Sequence, residues 1–179
     1  MQEAIGLLHR AIEIDSTYAL AHRELGLLLR RTDRFPEAEY HLRRAIELDN
    51  SDGWAHIYLA NLLWVSGDRT AAENAFKKAI EVWPDRSVPY WYLAHFLECE
   101  GDSQEAETLY KMALKMDPGD AQANWRFGSY LKDIGDDEHA RQYLRSALEL
   151  DPHDERPRVA LAEMEGATAR STKNDVAKS

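Results

Sequence analysis

The stretch from Gly53 to Arg86, GWAHIYLANLLWVSGDRTAAENAFKKAIEVWPDR, decides the fold. It reads as two helices joined by a short turn. Trp54 to Ser66 is apolar enough to be buried on more than one side. Gly67-Asp68 supplies a turn and an N-cap, and Thr70 to Val82 carries an apolar stripe at helical spacing that Trp83-Pro84 ends. Working outward, the same pattern recurs. Ala11, Ala45, Ala79, Ala113 and Ala147 stand 34 residues apart, and each begins a variant of Ala-(Ile/Leu)-(Glu/Lys)-x-(Asp/Trp) followed by Pro or a small polar residue. A fixed period of that length marks a repeat architecture.

With each repeat numbered from Ala19, Gly53, Ser87, Ala121 and Glu155, position 7 holds Leu25, Leu59, Leu93, Phe127 and Leu161. Position 8 holds Gly26, Ala60, Ala94, Gly128 and Ala162. Position 20 is Ala38, Ala72, Ala106 and Ala140, position 24 is Leu42, Phe76, Tyr110 and Leu144, and position 32 is Asn50, Pro84, Pro118 and Pro152. Small residues at 8, 20 and 27 let two helices approach closely, and large ones at 7, 11 and 24 fill the layer between them. A single helix pair cannot bury its apolar faces alone, so neighbouring pairs must stack.

This set of residues resembles the tetratricopeptide repeat family, and the match runs from Met1 to about Glu165. One departure is position 4, where His22, His56, Tyr90, Asn124 and Arg158 stand in place of the family's frequent Trp. The resemblance implies an all-α fold, a right-handed superhelical solenoid of stacked antiparallel helix pairs. About four full repeats are expected, with a leading half repeat and a C-terminal capping helix. The expected domain is 1–166: a half repeat at 1–16, repeats at 19–52, 53–86, 87–120 and 121–154, and a cap at 154–166, followed by a polar, disordered tail at 167–179. Asp68, Asp102 and Asp136 are placed to cap second helices, and Pro36 suits a first turn.

Met1 to Ile14 matches the second helix of a repeat, with Ala4, Leu8 and Ala11 at positions 20, 24 and 27, so the chain is expected to start in mid-repeat, as a fragment of a longer protein or with a lone capping helix. Its stripe of Ile5, Leu8 and Ile12 would then lack a partner, which makes a second copy of the chain a candidate partner through this helix.

The formal net charge is −10, and the last thirteen residues add two positive charges net, leaving −12 on the rest. That balance disfavours a nucleic-acid partner or an anionic membrane footprint, which draw on clustered Lys and Arg. No membrane insertion is expected, because the longest apolar run, within Leu59 to Val65, is far too short to span a bilayer. No signal peptide is visible, and the expected compartment is cytoplasmic. The lone cysteine, Cys99, excludes an internal disulfide.

Function is sought on the surface the core does not need. In each first helix, positions 2, 5, 9 and 12 form a stripe about 130° from the packing stripe, and in the family resembled here that stripe lines a concave groove. It reads Leu20, Arg23, Leu27 and Arg30, then Trp54, Ile57, Asn61 and Trp64. The next two helices give Val88, Trp91, His95 and Glu98, then Gln122, Trp125, Ser129 and Lys132, with Tyr58, Tyr92 and Arg126 flanking at position 6. The expectation is an aromatic groove with basic ends, Arg23, Arg30 and Arg31 at one side and Arg126 and Lys132 at the other. It would bind a protein or peptide segment through ring area and carboxylate pairing. The alternative is that the rings pack across neighbouring first helices and close the groove.

Some members of the family clamp a peptide's terminal carboxylate with Lys at position 5, Asn at 9 and Asn at 6 of the next repeat. Asn61 fits, but Ile57 and Tyr92 occupy the other places, so that clamp is not expected. Neither is an asparagine ladder, since position 9 reads Leu27, Asn61, His95 and Ser129. His22 and His56 are expected to pack in the core. His95, Glu98 and Cys99 lie close in sequence, yet lack a fourth ligand for zinc and an orienting partner for a nucleophile. No metal, no cofactor and no enzymatic activity are expected. The reading is a protein-binding scaffold. The alternatives are a regulatory or substrate-recruiting fragment of a larger, enzymatic protein and a self-association module.

Overall fold

The turn between the two helices of each repeat sets the geometry. At position 15, Gly67, Gly101 and Gly135 take φ of 88°, 92° and 84°, and Asp33 takes the same left-handed region at 58°, where Gly escapes the Cβ clash and Asp tolerates it. The next residue in three repeats, Asp68, Asp102 or Asp136, accepts from the backbone N–H of Ala71, Glu105 or His139 and starts the second helix. In the first repeat Pro36 takes that first turn instead. The computed structural model describes the backbone of residues 1–176 and the side chains of residues 1–166. Among the described residues there are ten helices and no strand. They are α1 (Gln2–Ile14), α2 (Ala19–Arg30), α3 (Phe35–Leu48), α4 (Gly53–Val65), α5 (Arg69–Val82), α6 (Ser87–Glu100), α7 (Ser103–Met116), α8 (Ala121–Asp133), α9 (Asp137–Leu150) and α10 (Glu155–Val176).

Each repeat is a packed pair: α2 with α3, α4 with α5, α6 with α7, and α8 with α9. A Cβ on Gly26 would lie 2.6 Å from Leu42 Cγ, and one on Gly128 would lie 2.9 Å from Leu144 Cγ and 3.0 Å from its backbone nitrogen. Positions 8 and 24 therefore touch, as the sequence predicts, and the alanines at 20 and 27 are fully or almost fully buried.

The helices gather into two compact units, Met1–Asp85 with α1 to α5 and Arg86–Ser179 with α6 to α10. In the first unit, α1 packs on α2 with Ile5 buried and Leu8 and Ile12 half-buried. The stripe expected to lie open is thus seated; Leu7 and Ile14, on the other side of α1, are the exposed residues. In the second unit, α10 sets Pro157, Ala160 and Met164 against α8 and α9. These residues fall at i, i+3 and i+7 on one helical face. The backbone of α10 continues to Val176, beyond the expected end of the cap at 166. Backbone residues 167–176 of the expected tail are described as part of α10, and residues 177–179 lie outside those described.

Position 4, where the family often has Trp, has its own use here. Four of its residues bond the carbonyl six places back, in the turn before their helix. His22 Nε2 reaches Ser16 O at 3.3 Å, Asn124 Nδ2 reaches Pro118 O at 3.0 Å and Arg158 Nη2 reaches Pro152 O at 2.9 Å. His56 likewise bonds the carbonyl of Asn50. His22 and His56 are buried, as expected of core residues, but they act as ties across a turn as well as fillers.

Candidate functional site

The Asp at position 34 caps the next first helix and also reaches back into the preceding repeat. Asp52 Oδ1 accepts from the backbone N–H of Trp54 and Ala55, while its Oδ2 accepts from Arg23 Nη1 at 2.8 Å. Asp120 Oδ1 accepts from the N–H of Gln122 and Ala123, while its Oδ2 accepts from Ser87 Oγ at 2.6 Å and Trp91 Nε1 at 3.2 Å. Asp154 Oδ1 caps Arg156, and its Oδ2 accepts from Gln122 Nε2 at 3.5 Å. Two of the residues at position 5 of the expected groove are therefore tied down: Arg23 belongs to an ion pair with Asp52 and Glu24, and Trp91, bonded to Asp120, is only 6% exposed.

On the first unit, Trp54 is half-buried, stacked on Tyr58 with centroids 5.6 Å apart and edge-on to Trp83 at 5.9 Å. Trp83 lies over Gly53, where a Cβ would come within 2.3 Å of its ring. Ile57 is fully buried and is a core residue, not a lining one. It sits on α4, a helix apolar all round, so its angle on the helix wheel does not mark it as exposed. Asn61 spends a hydrogen on the carbonyl of Ile57 at 2.9 Å. Leu27, Arg30 and Trp64 are half-buried, and Arg30 Nε is buried with no hydrogen-bond partner.

The second unit draws its expected residues into one cluster. Trp91 stacks on Tyr92 with centroids 3.9 Å apart. The Arg126 guanidinium lies 4.4 Å from the Trp125 ring and 6.0 Å from that of Trp91, and Arg156 lies over the Trp125 ring at 3.9 Å. Trp125 is half-buried between two cations. Arg126 Nη1 donates to His95 Nε2 at 3.0 Å, which leaves His95 Nδ1 as the protonated nitrogen, 3.5 Å from Glu98 Oε2. Tyr110 OH donates to the same carboxylate oxygen at 2.6 Å. Burial alone would raise Glu98, but the bonds from His95 and Tyr110 outweigh it and hold the carboxyl below the usual range. Burial pushes the Tyr110 hydroxyl up and pulls the Arg126 guanidinium down. Arg126 Nε, buried, has no hydrogen-bond partner. Beside Trp125 a cavity of about 420 Å³ opens between α8 and α10, bounded by Ser129, Arg156, Val159, Ala160 and Glu163. Lys132, expected as a free basic end, pairs with Glu163 at 2.8 Å.

Sequence reasoning passed over Arg156. It occupies position 2 of the last first helix, so the stripe read through Leu20, Trp54, Val88 and Gln122 reaches it when extended by one repeat. Cys99 Sγ lies 3.8 Å from His95 Nδ1, yet burial and the Glu98 carboxylate push its thiol up, away from the thiolate a nucleophile needs. Among the described residues no group of three or more His, Cys, Asp or Glu side chains could hold a metal ion, and no helix is long and apolar enough to cross a membrane.

A histidine cluster contributes to the pH response of the first unit. His22 Nδ1 lies 2.9 Å from His41 Nδ1, and His9 stands edge-on to His41 at 6.0 Å. Burial, then His22 and His9, push His41 down to about 4, with Glu37 opposing and Arg34 adding to the shift. Burial lowers His22 too, the Ser16 carbonyl opposing and Arg44 adding to the shift. Both rings are neutral in the fold and take up protons more readily once unfolded, so the stability they carry is present above about pH 6.5 and is lost as pH falls toward 4. After discounting for their partial exposure, about 1–2 kcal/mol should be lost between pH 7 and pH 4.5. Urea titrations of the parent and His41→Gln at the two pH values check this, since the variant should lose less of its stability in acid.

A family model described as tetratricopeptide repeat matches residues 2–53 and 100–155, and a second tetratricopeptide repeat model matches residues 53–76. Among solved structures, MamA is 20% identical at a TM-score of 0.63, covering 83% of this chain and 86% of its own. YrrB, described as a TPR protein with an unusual peptide-binding site, is 23% identical at 0.60, covering 88% and 84%. Yeast Tom70 is 20% identical at 0.83 over 94% of this chain, which spans 37% of the Tom70 chain. These likenesses show the fold. No curated protein matches the chain.

Proposed function

This chain belongs to the tetratricopeptide repeat family, and from that premise we propose that it is a protein-interaction scaffold whose second unit holds an acidic peptide segment across Trp125. The observation that carries the reading is the setting of that ring. Trp125 is half-buried and borders a cavity of about 420 Å³ together with Arg156, and the guanidiniums of Arg126 and Arg156 lie over its ring. A carboxylate from a partner would pair with the Arg156 guanidinium where it borders the cavity beside Trp125, by charge-assisted bonds, while its apolar neighbours fill the cavity against Val159 and Ala160. The likeness to YrrB supports a peptide as the ligand class. A net charge of −10 counts against a nucleic-acid partner. Trp91 enters this reading as a residue that positions the surface, since its N–H is spent on the Asp120 cap.

Selection of peptides from a random display library against the whole chain tests it. The expected outcome is enrichment of segments with Asp or Glu beside an apolar residue. Their binding should fall more than about fivefold, or 1 kcal/mol, in Trp125→Ala and in Arg126→Ala, while helicity by circular dichroism is kept. Selected peptides without acidic residues, or affinities unchanged in both variants, would count against it.

A further inference from the structure

Arg126, whose guanidinium lies 4.4 Å from the Trp125 ring, donates to a histidine. A guanidinium has donors and no acceptor. The 3.0 Å contact between Arg126 Nη1 and His95 Nε2 therefore exists only while that nitrogen presents a lone pair. The neutral ring then carries its hydrogen on Nδ1, which faces Glu98 Oε2 at 3.5 Å and Cys99 Sγ at 3.8 Å. A second proton has one place to go, which is Nε2. Its arrival removes the acceptor and sets two positive charges against each other.

The groups around that ring stand on several helices. Tyr92, Glu98 and Cys99 share α6 with His95, Tyr110 lies on α7 and Arg126 on α8, and Arg156 on α10 adds positive charge beyond Arg126. Between pH 8 and pH 5 phenols are neutral and guanidiniums charged. Burial pushes the Tyr110 hydroxyl and the Cys99 thiol up, so neither becomes an anion there. Burial would raise Glu98 as well, but the bonds from His95 and Tyr110 hold its carboxyl below the usual range, and it stays an anion. Imidazole is the side chain that changes charge across that range. His95 keeps 26% of its side chain exposed, so solvent protons reach it. A cation on one side and an anion on the other give the ring two arrangements. Neutral, it accepts from Arg126; protonated, it pairs with Glu98 and no longer holds Arg126.

We infer that His95 is a positioning residue for the surface at Trp125, holding the Arg126 guanidinium against that ring while neutral and releasing it on taking up a proton. A partner seated on Trp125 is then bound near neutral pH and let go in acid. The sign follows from the ring: the binding arrangement is the unprotonated one, so affinity is full at the alkaline end and falls as protons are taken up. Release of the partner rests on the function proposed above for Trp125; the hold on Arg126 does not.

¹⁵N NMR of the histidine rings and arginine Nε–H groups of the full chain, recorded from pH 8 to pH 5, tests the hold. The Arg126 Nε resonance should move along the same curve as the His95 ring. In His95→Gln the side-chain carbonyl accepts from Arg126 and takes up no proton, so that resonance should keep its pH 8 position throughout. An Arg126 resonance that does not follow His95, or that moves equally in His95→Gln, would overturn the inference. The peptide acetyl-Leu-Asp-Leu-amide, whose carboxylate stays ionised over that range, tests the release. Its binding to the parent should weaken about fivefold or more between pH 7.5 and pH 5, and less than about twofold in His95→Gln. His41→Gln should behave as the parent does, because the histidine cluster of the first unit takes no part. Binding that is equal at the two pH values would overturn the release. If the peptide binds at neither, the function proposed for Trp125 fails, while the Arg126 spectra still decide whether His95 holds that guanidinium.

Discussion

Phe76→Ala should lower stability by about 3–5 kcal/mol, the loss expected when a fully buried ring leaves a cavity that cannot close. Phe76 has no exposed surface, and its α5 neighbours Ala72 and Ala79 have none either. Those alanines have no longer side chain to swing into the space. Relaxation would need α4 and α5 to move together, against the cap of Asp68 on α5 and that of Asp52 on α4. Urea unfolding followed by circular dichroism measures the loss. Because each repeat leans on its neighbours, the change should appear in the unfolding of Met1–Asp85 as a block. A loss below about 1.5 kcal/mol would mean that the layer collapses onto the shortened side chain, and that position 24 is a filler rather than the keystone its burial implies.

Position 24 was readable because it repeats. Leu42, Phe76, Tyr110 and Leu144 stand at one spacing, as do the alanines at 20 and 27. Each column gives several independent statements about the same contact, so core, turns and helix order follow from periodicity. The caps at Asp68, Asp102 and Asp136 were legible for the same reason. Elements that occur once were harder. The Ile5, Leu8 and Ile12 stripe looks orphaned because the sequence shows no preceding helix, yet α2 covers it from the following side. The reach of α10 to Val176 has no periodic stripe in the sequence to mark it, and the Thr, Ser, Asn and Asp that follow Gly166 read as tail.

The candidate site divides along similar lines. Helical spacing placed Trp91, Tyr92, His95, Trp125 and Arg126 on one surface, and the structure brings these five together. Spacing does not tell which of them are spent on structure. Ile57 and Trp54 share a stripe, but α4 is apolar on every side, so angle carries no information about exposure there. The fate of Arg23 and Trp91 depends on acceptors 29 residues further along, in Asp52 and Asp120. Those aspartates recur at position 34 in Asp52, Asp120 and Asp154, with Arg86 as the exception, and Arg86 makes no side-chain cap on α6. The recurrence was in the sequence. Its second role, accepting from the preceding repeat, appears only once the turn is folded.

That second role gives the other large effect. Asp120→Ala should cost about 2–4 kcal/mol: about 1 kcal/mol for the lost cap on Gln122 and Ala123, and the rest for leaving the buried Trp91 N–H and the Ser87 hydroxyl without an acceptor. Asp120→Asn separates the two parts. Its carbonyl oxygen can keep the cap, and its amide can donate to Ser87 Oγ, but it offers nothing to Trp91 Nε1, which can only donate. The asparagine variant should therefore lose about 1–2 kcal/mol, and Trp91→Phe, which removes the donor, should make the same change nearly neutral. Denaturation of the four chains of that cycle measures the coupling directly. An asparagine variant as stable as the parent would show that stacking on Tyr92 alone holds Trp91. If the coupling is found, a consequence for binding follows. Trp91 sets one side of the Arg126 guanidinium, 6.0 Å from its ring, so Asp120→Asn should also weaken the selected acidic peptides, although the Asp120 carboxylate bonds the cap N–H groups, Ser87 and Trp91 and not Arg126. A cap that closes a turn and a surface that receives a partner would then share one carboxylate.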